Sequence, residues 1–101
     1  MKTSKFDPAE HLDTEEVQAE LISEALETGD AKFIAHAIGT VARARGMTQL
    51  SKDSGVTRES LYRALSVDGD PRLSTLTSVL SALGIGLKAE VRANKNQGQS
   101  A

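Results

Sequence analysis

Apolar residues recur at three- and four-residue intervals in four blocks of this chain, thin out over residues 48–54 to Leu50 and the small Ser51, and switch to strict alternation near its C-terminal end. Intervals of three and four place side chains on one face of a helix, whereas alternation places them on one face of a strand. Residues 13–28 carry Val17, Leu21, Ile22, Ala25 and Leu26 on one stripe, with Asp13 and Glu16 as a capping-box-like pair at the start and Gly29 past the end. Residues 30–45 repeat the pattern with Phe33, Ile34, Ala37, Ile38, Val41 and Ala42, opened by Asp30 and stopped at Gly46. Arg43 and Arg45 fall in the last turn of that helix, where cations complement the dipole and where phosphate contact is the functional alternative.

The next stretch, residues 47–66, organises the rest. It predicts two short helices meeting at Gly55. Glycine suits a helix end in the left-handed conformation, since it has no Cβ to clash. Val56 is the apolar plug of the turn and Thr57 caps the second helix, whose inner face carries Leu61, Ala64 and Leu65. Arg58, Glu59, Tyr62 and Arg63 are then directed outward. A helix–turn–helix has this layout, its second helix entering the major groove with N-terminal residues at base edges. The bland alternative is a packing corner of the kind any helical protein contains. The conjunction of Ser51, Gly55, Val56, Thr57 and Leu61 favours the first reading, as do two arginines suited to bidentate guanine contacts.

After a turn marked by Asp-Gly and Asp-Pro at residues 67–72, a fifth helix starting at Pro71 or Leu73 is expected to run to Leu83, with Leu73, Leu76, Val79, Leu80 and Leu83 in period and Gly84 at its end. Alternation begins there: Ile85, Leu87, Ala89 and Val91 against Gly86, Lys88, Glu90 and Arg92. This predicts a short strand with no second strand in the chain to pair with, hence one that pairs with its copy across a two-fold axis. Residues 1–12 read as an N-terminal arm that Phe6 anchors or that merely covers its own core, residues 13–92 as one domain, and residues 93–101 as a disordered tail.

Composition narrows the functions. One hundred and one residues make one domain, and the absence of cysteine excludes a disulfide framework, a thiolate nucleophile and a thiolate zinc site. No apolar run approaches membrane-spanning length and no signal-peptide pattern is present, so the expected location is cytoplasmic. The net charge of −2 conceals an asymmetry: residues 1–30 hold nine Asp/Glu against two Lys/Arg, a net −7, and residues 31–101 hold five against ten, a net +5. The basic part supplies attraction to phosphates through counterion release. The acidic part, with Glu15, Glu20, Glu24 and Glu27 on one side of the first helix, is either a solvated face or a surface for a basic partner. His11 and His36 lack ligand spacing, and no Ser–His–Asp pattern stands out, so no enzyme, catalytic residue, metal or cofactor is expected.

The leading FDPAEHLDTEE, the central VARARGMTQL, the GVTRESLYRALS block and the following GDPRLSTLTSVLSALG together resemble the HigA-type addiction-module antitoxins, a branch of the lambda-repressor-like helix–turn–helix proteins. The likeness covers nearly the whole chain. It implies an all-α, five-helix DNA-binding antitoxin that neutralises a RelE/HigB-like toxin and represses its own operator as a homodimer. By that resemblance Thr57, Arg58, Glu59, Tyr62 and Arg63 lie at the DNA, with Gln49 near a phosphate. Ser51 departs from the family's usual alanine, a change its hydroxyl offsets by bonding to its own backbone. Glu59 has two roles open to it: accepting from cytosine N4, or pairing with Arg63 for a few tenths of a kcal/mol. Such a toxin is basic because it works on ribosome-bound mRNA, which makes Glu20, Glu24 and Glu27 the expected toxin surface. A stand-alone phage-type repressor without a toxin is the alternative, and a pure protein-interaction module the third reading. No membrane or small-molecule partner is expected.

Overall fold

The computed structural model describes residues 14–93. The expected arm, and the expected tail apart from Ala93, lie outside these residues. Among the described residues the chain is all-helical, with five helices: α1 Glu15–Thr28, α2 Ala31–Arg45, α3 Met47–Ser54, α4 Arg58–Ala64 and α5 Leu73–Leu83. Helix α1 packs on α2, α2 on α3, and α3 on both α4 and α5.

Local chemistry sets the helix ends. Thr14 caps α1: its Oγ1 accepts from Val17 N at 3.2 Å, while Asp13 of the expected Asp13–Glu16 pair lies outside the described residues. Asp30 caps α2 as expected, its Oδ1 accepting from Lys32 N at 3.0 Å and Phe33 N at 3.4 Å. At the far end of α5, Gly84 adopts φ 76°, the Gly84 N–H donates to Ser81 O and the Ile85 N–H to Leu80 O. That pair of bonds is a Schellman ending, which accounts for two carbonyls the helix leaves open.

The core is drawn from all five helices: Ile22, Ile38, Val41, Met47, Leu50, Leu61, Leu65, Val79, Leu80 and Leu83 are all buried. Three residues on the expected apolar stripes are exposed instead. Leu26 and Phe33 stand at the α1–α2 turn, and Leu73, 71% exposed, is the first residue of α5. Helical period assigns them to the inner face, but at a helix end no neighbouring element covers that face. The only buried polar side chain among the described residues is Gln18 on α1.

Gln18 belongs to a junction that sequence reasoning placed elsewhere. Arg45, expected at the helix dipole or at a phosphate, turns inward. Its Nε donates to Gln18 Oε1 at 2.7 Å and its Nη2 donates to Leu83 O at 2.6 Å, with Glu15 Oε2 at 3.6 Å from the same nitrogen. One guanidinium thus ties the start of α1, the end of α2 and the end of α5 together. Its several donors in a fixed plane make this possible where a lysine's point charge would not.

Residues 85–92 form neither helix nor strand within the single chain. Ile85 packs against the core and Arg92 Nη2 reaches Glu27 O at 3.4 Å, holding the segment beside the C-terminal end of α1. The expected strand is therefore not formed, and it has no partner among the described residues.

Candidate nucleic-acid interface

The corner between α3 and α4 is only three residues long, and each is held. Gly55 takes φ 77°, and its N–H donates to Ser51 O at 3.0 Å. Ser51 Oγ donates to Val56 O at 2.6 Å, and Ser54 Oγ accepts from Val56 N at 3.2 Å. The Ser51 hydroxyl therefore does bond to backbone, but across the turn rather than within its own helix. It fastens the start of α4 to α3. Thr57 Oγ1 accepts from Ser60 N at 3.1 Å, a cap that uses the threonine side chain within the protein.

The other end of α4 is confined by two glycines. A Cβ on Gly39, which is buried in α2, would stand 2.5 Å from Leu65 O, and a Cβ on Gly69 would stand 2.1 Å from Ala64 O. Real Cβ atoms do not approach so closely, so α2 and the loop after α4 sit against the last turn because neither residue has a side chain. The sequence marks Gly69 only as half of the Asp-Gly turn signal, and gives Gly39 no role. An isolated glycine inside a helix, unfavourable by about 1 kcal/mol against alanine, was the available signal for Gly39.

Leu61 and Leu65 are fully buried, which fixes the rotation of α4 about its axis. Arg58, Glu59, Tyr62 and Arg63 are all exposed. The Arg58 guanidinium carbon lies 5.7 Å from the centre of the Tyr62 ring, within cation–π range. That contact holds one arginine along the helix while leaving its donors open to solvent. Glu59 and Arg63 form no ion pair, so of the two roles open to Glu59 the intrahelical one is unused. Gln49 is exposed on α3, its Nε2 donating to Asp53 Oδ1 at 3.0 Å. Arg63 also borders a shallow cleft with Ser60, Arg72 and Thr75, shared with Asp68 and Asp70.

Glu20, Glu24 and Glu27 are exposed on α1, as are Glu15 and Glu16. They form a separate surface on a helix that contributes nothing to the α3–α4 corner. Among the described residues no three His, Asp or Glu side chains cluster closely enough to hold a metal ion, and no helix is long and apolar enough to cross a membrane.

Residues 2–91 match the family described as probable addiction module antidote protein. The chain belongs to that family. The match extends over all five helices, so the antidote family is defined by the whole domain and not by the corner alone. A relative within reach is an uncharacterized protein of Haemophilus influenzae, 40% identical over 85 residues, which are 84% of this chain and 88% of that one. No solved structure gives a significant match. Membership of the antidote family supports an antitoxin role at that general level.

Proposed function

We propose that this antidote-family protein is a lambda-repressor-like helix–turn–helix antitoxin of the HigA type. It neutralises a RelE/HigB-like toxin by direct binding and represses its own operon by sequence-specific DNA binding. The observation that carries the DNA half is the bracing of α4: a latched turn at one end, two close-packed glycines at the other, and a polar row of Arg58, Glu59, Tyr62 and Arg63 between them. A helix held this firmly presents its side chains without a large ordering cost on binding, as base readout demands.

In this reading Arg58 and Arg63 make bidentate contacts to guanine edges, Glu59 accepts from a cytosine amine, and Tyr62 supports Arg58 and packs against the sugar–phosphate backbone. Thr57 donates its hydroxyl hydrogen to a phosphate while its oxygen keeps the cap. Gln49 reaches a second phosphate, exchanging Asp53 for it. Seven residues of α4 cover one half-site only, so the operator-binding species is a homodimer on two half-sites about one helical turn apart. The toxin occupies the acidic side of α1 through Glu20, Glu24 and Glu27, away from α4.

The test is co-expression of the tagged chain with whatever reading frame adjoins its own gene, followed by a gel-shift titration of the purified material on the DNA upstream of the two. Co-purification and a salt-dependent specific shift are expected. A specific shift without a co-purifying partner would favour a stand-alone repressor, and a partner without a shift would remove the DNA half.

A further inference from the structure

Residues 86–92 leave Ile85 and run along the C-terminal end of α1, with Arg92 at the Glu27 carbonyl. No backbone N–H from Gly86 to Arg92 donates to another described backbone carbonyl. Leu87 and Val91 are 49% and 81% exposed, and Leu26, also exposed, flanks them in the same groove. A backbone edge with open donors and alternating apolar side chains is a template for a further strand.

We propose that the strand is the same segment of a second copy, paired antiparallel about a two-fold axis through Ala89. This deepens the dimeric reading above and rests on it. Charge and hydropathy select the register. With the axis at Ala89, Leu87 lies opposite the partner's Val91, Val91 opposite the partner's Leu87, and each Lys88 opposite the partner's Glu90. Every apolar pair is matched on one face and both ion pairs on the other, the arrangement cross-strand neighbours favour. Moving the axis to Lys88 sets lysine against lysine. Moving it to Glu90 sets glutamate against glutamate and Lys88 against Arg92. A half-step places Leu87 opposite a charged residue and turns the two apolar faces to opposite sides of the sheet. Ala89 is small, so two copies meet at the axis without a clash.

The chain has no cysteine, so a single introduced thiol reports position without interference. Full-length Ala89→Cys, Lys88→Cys and Glu90→Cys are oxidised under mild conditions while sedimentation measures self-association of the unmodified protein. At the axis the two Cα atoms would be about 4.5–5.5 Å apart, inside the range of roughly 4.4–6.8 Å a disulfide spans. Positions 88 and 90 meet their own copies only diagonally, at about 7–8 Å. Covalent dimer should therefore form on the order of ten-fold faster from Ala89→Cys than from either neighbour. Independently, Lys88→Glu should weaken the dimer roughly ten-fold, and the double change Lys88→Glu with Glu90→Lys should restore it. A dimer that cross-links fastest at 88 or 90, or that the double change fails to restore, overturns the register and leaves the dimeric reading standing. A monomer at every concentration overturns both.

Discussion

Gly39, in the middle of α2, touches the backbone of Leu65 where α4 ends, with room for a hydrogen atom and nothing larger. The contact sets how deeply the outward helix seats on the domain. Replacing Gly39 with alanine brings two opposed effects. Helix propensity favours the change by about 1 kcal/mol, while overpacking costs about 1–3 kcal/mol. The opposing atom is a carbonyl oxygen at a helix end, which no side-chain rotation can relieve, so the second effect wins. Gly39→Ala should lose about 1 kcal/mol in urea denaturation and lower operator affinity further by displacing α4. A variant of equal or greater stability would mean that α4 is free to move off α2.

Arg45 is the second point where one residue holds several elements. Its bonds to Gln18 Oε1 and Leu83 O are partly buried, whereas its ionic partner Glu15 is 73% exposed. Arg45→Ala should destabilise the fold by about 2–3 kcal/mol, the scale for charge-assisted bonds whose partners stay buried. Glu15→Gln should change stability by less than about 0.5 kcal/mol, since an exposed ion pair is worth little. Denaturation of the two variants side by side checks the ranking, and a larger loss from Glu15→Gln would reverse it.

The order and type of the five helices could be read from apolar spacing and from Asp30, Gly55 and Gly84, because a cap or a left-handed glycine acts within a few residues of chain. The outward row of α4 was legible for the same reason: Leu61 and Leu65 fix its inner face, and the polar residues must occupy the other. What escaped depends on distant partners. Arg45 meets Leu83 across thirty-eight positions and Gln18 across twenty-seven, and no local rule distinguishes that arginine from Arg43, which is exposed. Phe33 and Leu73 fit the apolar period but stand where no second element covers them. Alternation in residues 85–92 predicts a strand, but the segment forms none, because a strand exists only with a partner and none is present among the described residues.

The acidic side of α1 and the polar row of α4 are on different helices, so the two proposed activities should separate. Changing Glu20, Glu24 and Glu27 together to glutamine removes three negative charges from exposed positions and should leave the fold intact. Calorimetric titration with the proposed toxin should show weaker binding by the variant, and a steeper loss of affinity on adding salt for the parent than for the variant. Operator affinity should stay within about two-fold, because no base or phosphate contact is touched. Unchanged toxin affinity would move the toxin to another surface.

The central claim is that α4 reads DNA. Fluorescence anisotropy at one fixed salt concentration, on the duplex upstream of the gene, measures it most directly with Arg58→Ala and Arg63→Ala beside the parent protein. Each change should cost about 1–3 kcal/mol on the specific site, with melting temperatures unaltered since both side chains are exposed. Parent-like affinity in both folded variants, or a parent protein that does not bind the duplex, would contradict it.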